Sequence, residues 1–404
     1  METWDSRRWG DIASIEYGKS LRDYDGATTG YRVFGTNGPI GWTDTPLCKH
    51  PGVVIGRKGA YRGVHYSSAP FFVIDTAFYL EPKQPMDLRW AYYELLTHDI
   101  NSMDSGSAIP STSREDFYAL PVLVPPIEEQ RAVASILGAL DDKIELNRRM
   151  NETLEAAVRA LFRSWFVDFD PVRAKAGGEQ PWGMDADTAA LFPDAFEDSD
   201  IGEIPQEWRV GSIGDIAENR REGANPDDLD RDTPYIGLEH MPRGSIALDE
   251  WETVEKVGST KLTFEMGDIL FGKLRPYFKK VGVALVDGVC SSDIVVVRPK
   301  TPNWFSLLLM QLSTQEFIDY TDSMSSGTKM PRVNWQDIGR YSLALPNEDV
   351  ARAFDALARP CVERIRSNVM ESRTLAGLRD TLLPKLLSGE VRVGDVGKIA
   401  EAAR

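Results

Sequence analysis

The sequence predicts a mixed α/β protein made of two copies of one unit, each a globular head followed by a long helix. Two observations predict this architecture. The chain repeats itself at a fixed register shift, and the apolar residues that end each copy follow a heptad spacing. The 404 residues are enough for two or three domains with cores of their own. We therefore expect two similar α/β heads and two long helices that pack together.

The repeat is visible in residues that recur 221 positions apart. The pairs are Gly106 and Gly327, Pro110 and Pro331, Asp116 and Asp337, and Pro125 and Pro346. The starts of the two copies match at a shorter shift of 204, where Trp4-Asp5 and Gly10-Asp11-Ile12-Ala13 recur as Trp208-Arg209 and Gly214-Asp215-Ile216-Ala217. A chain with two similar heads is suited to reading two separated features of one ligand.

Residues 1–125 form the first predicted head. Short β-rich runs separated by glycine and proline turns indicate its strands. These runs are Tyr31–Phe34, Val53–Ile55 and Phe71–Ile74. A short helix is predicted over Leu88–Leu96, and a strand over Leu120–Val124 closes the head. Residues 205–346 repeat this pattern and form the second predicted head.

A long helix is predicted after each head. Pro125-Pro126 and the acidic Glu128 and Glu129 are typical of a helix start. The first helix, Ile127–Phe166, would be about 60 Å long at 1.5 Å per residue. Its seam positions from 133 to 165 alternate steps of four and three, the spacing of a coiled coil. The second helix is predicted from about Glu348 to Leu387.

The resulting domain boundaries place a central helical region at 126–170, an irregular acidic linker at 171–204, a distal helical region at 347–391 and a tail at 392–404. Both helical seams carry an asparagine at the matched position, Asn147 and Asn368. A buried polar residue in a seam fixes register and orientation. The alternative is that both asparagines face solvent where the helices splay apart, and the sequence leaves both possibilities open.

Composition argues against several classes of protein. The chain has no apolar run near 18 residues and no leader at Met1, so we expect a cytoplasmic protein without a membrane span. The three cysteines lie far apart without a CxxC pair, and the four histidines show no metal-ligand spacing, which argues against a disulfide framework or a metal site.

Motifs for catalysis are also missing. Ala13–Ser20 and Gly267–Leu274 each depart from a phosphate-binding loop, the first at its leading glycine and the second at its final hydroxyl. Asp168 and Asp170 are better explained as packing and turn residues than as a metal pair. We therefore predict no catalytic residues, no metal and no cofactor on this chain.

The net charge of −16 is unusual for a nucleic-acid-binding protein, but the charge is unevenly distributed. Acidic residues crowd the stretch from Glu179 to Asp232, whereas two acid-free basic stretches with aromatic residues occupy matched places in the two heads. Lysine and arginine neutralise phosphates, and arginine can read guanine edges. Small polar residues in nearby loops add further donors. The candidate DNA-binding residues are Thr36, Asn37, Arg57, Lys58, Tyr61, Arg62, Ser107, Lys273, Arg275, Tyr277, Lys279, Lys280, Thr328 and Lys329.

One such basic loop alone would favour an ordinary solvated hairpin, but two loops at matched places favour a nucleic-acid face. Two DNA-reading heads held apart by an antiparallel helix pair would touch two short sites on one face of a duplex. Half-sites about one helical turn apart, roughly 34–36 Å, would be natural. The helix pair would act as a ruler, and the heads would read different half-sites because their sequences differ.

The chain resembles the DNA-specificity subunits of type I restriction–modification systems along nearly its whole length. The runs that carry the resemblance are Pro125-Pro126-Ile127-Glu128-Glu129-Gln130-Arg131, Leu140-Asp141-Asp142-Lys143-Ile144, Leu161-Phe162-Arg163-Ser164-Trp165-Phe166-Val167-Asp168-Phe169, Leu191-Phe192-Pro193, Ile201-Gly202-Glu203-Ile204-Pro205 and Leu378-Arg379-Asp380-Thr381-Leu382-Leu383-Pro384-Lys385-Leu386-Leu387-Ser388-Gly389-Glu390. The second helix departs from the first at its start, because it lacks the Glu-Gln pair at positions 129 and 130.

The resemblance implies two target-recognition domains and an antiparallel coiled coil with pseudo-twofold symmetry. It also implies a bipartite, asymmetric site on double-stranded DNA, two adenine-methylating modification subunits and added restriction subunits as partners. The methyl donor, ATP and magnesium would bind those partners. Two alternatives stay open: a specificity subunit of a methyltransferase that has no restriction partner, and a coiled-coil adaptor that binds only protein. A third is that the chain is itself a nuclease or methyltransferase, but nothing in the sequence favours it.

Overall fold

A computed structural model of the chain describes residues 4–24, 26, 28–103, 109–256, 258–327 and 329–393. The chain forms two compact units. Unit 1 comprises Met1–Ile144 together with Thr374–Arg404, and unit 2 comprises Glu145–Arg373. Each unit therefore contains one predicted head and parts of both long helices.

Unit 1 is built on an antiparallel sheet of four strands and a smaller sheet of three. Its strands are β1 (Asp5–Arg8), β2 (Ala13–Tyr17), β3 (Tyr31–Gly35), β4 (Gly38–Thr43), β5 (Gly52–Gly56), β6 (Val64–Ser67), β7 (Phe71–Val73), β8 (Ala77–Pro82) and β9 (Pro121–Val124). Its short helices are α1 (Trp9–Ile12), α2 (Leu88–Leu95) and α3 (Arg114–Ala119). The four-stranded sheet has the order β2-β8-β5-β6 and the smaller one β4-β3-β7, while β1 pairs with β9.

The linker after the first long helix, α4 (Ile127–Phe166), is more regular than the sequence indicated. It contains α5 (Asp170–Ala176), α6 (Ala186–Ala190) and a hairpin of β10 (Phe196–Ser199) and β11 (Gly202–Pro205). The expectation of an irregular connection was wrong because aromatic packing orders the segment. Phe192 contacts Trp165 with ring centroids 5.0 Å apart, and Phe169 contacts Trp208 at 5.7 Å.

Unit 2 repeats the head with one larger sheet. Its strands are β12 (Arg209–Ser212), β13 (Ala217–Arg220), β14 (Gly223–Ala224), β15 (Pro234–Ile236), β16 (Glu252–Thr253), β17 (Lys261–Phe264), β18 (Ile269–Gly272), β19 (Val281–Val283), β20 (Gly288–Cys290), β21 (Ile294–Pro299) and β22 (Ser342–Leu345). Its helices are α7 (Ile213–Ile216), α8 (Phe305–Leu312), α9 (Gln315–Ser323) and α10 (Trp335–Gly339), followed by the second long helix α11 (Glu348–Leu387). The sheets have the orders β13-β21-β18-β19 and β14-β17-β20-β15-β16, and β12 pairs with β22.

The predicted repeat is confirmed at the level of strand register. In the four-stranded sheets, Ile15 pairs with Leu80 in unit 1 as Asn219 pairs with Val297 in unit 2. In the other sheet of each unit, β3 runs parallel to β7 as β15 runs parallel to β20. Because a slip of one residue would turn every side chain to the other face, equal registers mean that equivalent positions point the same way.

The two long helices have the predicted bounds and pack through the predicted seam. In unit 1, the start of α4 and the end of α11 share one core, in which Val133 and Leu137 join Leu382 and Leu386. In unit 2, the end of α4 packs on the start of α11, where Phe162 and Trp165 contact Phe354 with ring centroids 6.2 and 5.8 Å apart. The pairing in unit 2 is antiparallel, because Asn147 lies beside Asn368, whereas Phe162, further along α4, lies beside the earlier Phe354 of α11.

The start of α11 lacks the Glu-Gln pair found at the start of α4, and packing explains the difference at the glutamine. Gln130 of α4 is buried, and its side chain donates to Pro125 O and accepts from Asp87 N. Ala351 occupies the matched place in α11 and is fully buried. A small apolar residue thus replaces a hydrogen-bonded amide in the second copy. None of the helices in the described part of the chain combines the length and apolar character needed to span a membrane.

Candidate nucleic-acid interface

The two predicted basic loops leave the same edge of the two equivalent sheets. In unit 1, the ends of β2 and β5 meet the start of β8, as the pairs Tyr17–Phe78 and Gly56–Ala77 show. In unit 2, the ends of β13 and β18 meet the start of β21 in the same way. Loop 57–63 and loop 273–280 follow directly from β5 and β18. We call this edge of each sheet the loop edge.

In unit 1, the loop edge presents Lys58 and Tyr61 to solvent. Lys58 is exposed, and the Tyr61 side chain is 78% exposed. Arg57 is held against the head, because its Nη1 donates to Asp75 O at 2.9 Å and its guanidinium lies 4.6 Å from the centre of the Tyr17 ring. Asn37 is exposed and Thr36 is half-buried in the neighbouring β3–β4 turn.

Arg62 is not on the surface, although the sequence suggested a DNA contact there. It is only 3% exposed, its Nη2 donates to Asn101 O at 2.6 Å, and its backbone N–H donates to Asn101 Oδ1 at 2.7 Å. This burial does not fit a direct phosphate contact. The side chain instead ties loop 57–63 to the segment after α2, and the sequence could not show this because Asn101 is 39 residues away.

Polar atoms without a hydrogen-bond partner surround this loop in the described part of unit 1. They are Arg62 Nε and Nη1, Thr36 Oγ1 and His65 Nε2. Burial lowers the pKa of His65, so its ring stays neutral near pH 7 and adds no second cation to the buried arginine. The loop therefore rests on a buried polar layer instead of an apolar one.

In unit 2, the basic loop has an unusual backbone. Arg275 and Lys279 have positive φ angles of 51° and 55° and flank the 3-10 turn Pro276–Phe278. Such conformations cost about 1–3 kcal/mol each outside glycine and persist only where the surroundings impose them. Here Arg275 N donates to Pro331 O at 2.8 Å and Arg275 Nη2 to Lys329 O at 3.1 Å, so the loop is fixed by a neighbouring segment.

The cations of this loop differ in how freely they are presented. Lys280 Nζ donates to Leu238 O, and burial together with the nearby Arg243 lowers the pKa of Lys280. Lys273 and Lys279 are half-buried, whereas Lys329 and Tyr277 are exposed. Ser107 and Thr328, the two remaining candidates, lie outside the described residues.

Sequence reasoning missed a cleft at the loop edge of unit 2. Its volume is about 740 Å³, and Lys273 lines it together with residues from two other places in the chain, Asn219 and Arg221 after β13 and the segment Arg332–Gln336. These positions are too far apart in sequence to form a visible motif. One signal was present: at the shift of 204, Ile15 and Tyr17 of the first copy are replaced by Asn219 and Arg221.

The two seam asparagines lie inside the helix pair of unit 2. Asn147 and Asn368 are 0% and 1% exposed. Asn147 Nδ2 donates to Asn368 O at 3.3 Å, to Glu371 Oε2 at 2.9 Å and to Ser372 Oγ at 3.2 Å. Asn368 Nδ2 donates to Asn151 Oδ1 at 2.8 Å. Their surroundings therefore suit a register-fixing role better than a solvated splay point.

The other reactive side chains have ordinary structural surroundings. Burial raises the pKa of the Cys48 and Cys290 thiols to about 12, so both stay protonated at neutral pH. Asp168 Oδ2 accepts a hydrogen bond from Arg163 Nε at 2.9 Å. Across the described ranges, no group of three or more His, Cys, Asp or Glu residues is arranged to hold a metal ion.

The geometry of two matched loop edges agrees with comparisons to known proteins. A family model described as the type I restriction modification DNA specificity domain matches residues 1–156. The type I restriction enzyme MjaIX specificity subunit of Methanocaldococcus jannaschii is 23% identical over 332 residues, covering 78% of this chain and 72% of that protein. The HindI specificity subunit of Haemophilus influenzae is 25% identical over 330 residues, covering 70% and 71%.

The fold is also found among solved structures. The S subunit of a type I restriction–modification system from M. genitalium superimposes with a TM-score of 0.58 and 17% identity, covering 95% of this chain and 96% of that one. This likeness shows the fold. With the sequence relatives, the repeated heads and the paired long helices, it leads to one conclusion: the chain is similar over most of its length to the specificity subunits of type I restriction–modification systems.

Proposed function

We propose that this chain reads a bipartite DNA sequence, one half-site with each unit, and directs the chemistry of partner subunits without catalysing a reaction itself. The observation that carries the proposal is the matched placement of two basic loops. Both leave the same edge of sheets that share strand order and register. Two copies of one scaffold, each with a basic loop at its loop edge, are suited to binding two similar but distinct stretches of duplex DNA.

Within this proposal, the loop-edge residues have different tasks. The exposed Lys58, Tyr61 and Lys329 approach the backbone of DNA, where cations neutralise phosphates and fix orientation. Asn37 in the neighbouring turn supplies a polar group for a base edge. Arg62 supports its loop from below and does not touch DNA.

The partners we propose are double-stranded DNA, two modification subunits that methylate adenine, and restriction subunits. The methyl donor, ATP and magnesium would bind those subunits, and the complex would work in the cytoplasm. The faces of α4 and α11 that point away from their shared seam offer long surfaces on which other helices can pack.

The test is methylation mapping in cells. The chain is co-expressed with its modification subunits, and N6-methyladenine is located by single-molecule sequencing, with cells that lack only this chain as the control. We expect methylation in one bipartite motif that appears only when this chain is present. Methylation that is absent, or that is unchanged without this chain, would contradict the proposal and favour a coiled-coil adaptor that binds only protein. Adding the restriction subunits then distinguishes a full restriction system from a stand-alone methyltransferase, because only the former cleaves unmethylated DNA.

A further inference from the structure

The cleft at the loop edge of unit 2 has a composition that its surroundings do not explain. The side chains that define it are Asn219, Arg221, Lys273, Arg332, Trp335 and Gln336. In a chain of net charge −16, none of the described residues that line this cleft is acidic. Asp293, which is not among the lining residues, accepts hydrogen bonds from Arg332 Nε at 2.8 Å and Nη2 at 3.4 Å.

Two cations at the cleft remain available for a ligand. In the described part of the chain, neither Arg221 nor Lys273 forms an ion pair or a side-chain hydrogen bond, and Arg221 is exposed. Arg221 and Lys273 follow the ends of β13 and β18, two strands of the same sheet that are separated by β21. Positive charge without an internal partner on two sides of an open cleft favours an anionic polymer as its occupant.

Asn219 supplies a group that suits a base more than a phosphate. Its Oδ1 is buried and has no hydrogen-bond partner, and its Nδ2 forms no hydrogen bond with the described residues either. An amide oxygen that is buried without a partner is unfavourable in the free protein. A ligand that offers one donor and one acceptor side by side would satisfy both atoms at once.

Adenine offers this pair in the major groove, where its N6 amino group donates and its N7 accepts. Guanine presents two acceptors at the same edge and would leave Oδ1 facing another oxygen. We propose that Asn219 reads an adenine edge in one half-site, while Arg221 and Lys273 hold the flanking phosphates. This inference rests on the proposed function and assigns a base-reading position within it.

The first copy of the unit carries different side chains at the matched places. Ile15 occupies the place of Asn219 and is fully buried. At the place of Arg221, Tyr17 lies beneath two guanidinium groups, with Arg57 at 4.6 Å and Arg114 at 5.2 Å from its ring centre. An apolar residue and a closed stack thus stand where unit 2 has an amide and free cations.

The test replaces Asn219 with the residue that the first copy carries. Asn219→Ile introduces a β-branched residue, which strands favour, into β13 and removes both hydrogen-bonding atoms. Glu218→Ala is the matched control, because Glu218 is exposed and its side chain points to the opposite face of the same strand. Each variant is co-expressed with the modification subunits, and methylation rates are measured across a library in which every base of the motif is varied.

We expect Asn219→Ile to lower the preference for A·T over other base pairs at one position of one half-site by about 5- to 100-fold. This is the range for the loss of one bidentate base contact. The other positions and the Glu218→Ala control should keep their preferences. Lys273→Gln should lower methylation of all sequences alike and reduce the slope of log affinity against log salt by about 0.9.

Three outcomes would overturn the inference: an unchanged motif with Asn219→Ile, a relaxed G·C position, or relaxation in both half-sites. If Asn219→Ile does not assemble with its partners, Asn219→Ser shortens the same side chain and is measured in its place. The proposed function fails separately, since it fails when the unaltered chain itself directs no bipartite motif.

Discussion

The two heads differ least in their sheets and most at their loop edges. Their four-stranded sheets share strand order and register, and each includes strands buried along their whole length, such as β5 and β18. At the loop edge, unit 1 closes its space with Arg57 and Arg114 over Tyr17, whereas Lys273, Trp335 and Arg221 occupy the matched places in unit 2. An aromatic ring and a cation have exchanged positions between the copies.

This difference shows which parts of the sequence the fold constrains. A register slip would move a whole hydrophobic set out of the core, so the strands keep their pattern in both copies. Residues just beyond the strand ends face solvent or ligand, and their chemistry can change without cost to the core. Two recognition surfaces can therefore arise on one scaffold.

The largest expected effect comes from a substitution that tests whether the sheets of units 1 and 2 are equally stable as well as alike in topology. Asp268 of unit 2 is 3% exposed and accepts hydrogen bonds from Arg298 Nε at 2.7 Å and Nη2 at 2.9 Å. Arg298→Met would leave this carboxylate buried without its cation, and we expect a loss of about 3–5 kcal/mol in the free energy of unfolding of unit 2. Urea unfolding followed by tryptophan fluorescence, with limited proteolysis to locate the opened unit, measures it.

The control for this experiment lies at the matched place in unit 1. Glu81 occupies the position of Arg298 there, and its contact with His50 is a partly exposed one at 3.6 Å. Glu81→Gln should change the free energy of unfolding by no more than about 0.5 kcal/mol. Equal losses from the two variants, or proteolysis of unit 1 in Arg298→Met, would contradict the idea that unit 2 depends on this internal ion pair.

Much of the scaffold could be predicted from the sequence, because its signals are local or repeated. The bounds of α4 and α11 follow from a proline-rich start and a heptad seam, and the repeat identified the second head. The burial of Arg62 and the order in the linker could not be predicted. Both depend on partners that are distant in sequence, Asn101 for Arg62 and Trp165 for Phe192. The cleft was missed for the same reason, since it is assembled from three separate segments.

A smaller effect is expected in the helix pair, where matched asparagines have unequal surroundings. Asn147 donates to three groups of α11, including Glu371 at 2.9 Å, whereas Asn368 donates to Asn151 alone among the hydrogen bonds described above. Asn147→Ala would remove this donor from the buried carbonyl of Asn368 and from the more exposed Glu371 and Ser372, and we expect unit 2 to lose about 1–3 kcal/mol in its free energy of unfolding.

Asn368→Ala serves as the matched variant for Asn147→Ala and should cost less, because Asn151 is half-buried and can turn toward water. Chemical unfolding of both variants gives the two free energies. A larger loss from Asn368→Ala would mean that the two seams are not distinguished by these hydrogen bonds, and no loss from either would remove the case for a role in fixing register.

The smallest expected effect separates a basic residue that is presented to DNA from one that is held by the protein. Lys58 of unit 1 is exposed and has no side-chain partner among the described residues, whereas Lys280 of unit 2 donates to Leu238 O. If Lys58 contacts a phosphate, Lys58→Gln should reduce the slope of log affinity against log salt by about 0.9. Lys280→Gln should change it less, because the Lys280 ammonium group is already held by Leu238 O. Fluorescence anisotropy of labelled DNA with the assembled complex, over a series of salt concentrations, gives these slopes.

Lys83→Gln is the control, since Lys83 follows the far end of β8, away from the loop edge, and donates to Gly10 O. Equal slopes for Lys58→Gln and Lys83→Gln would mean that position at the loop edge does not decide which lysines meet DNA.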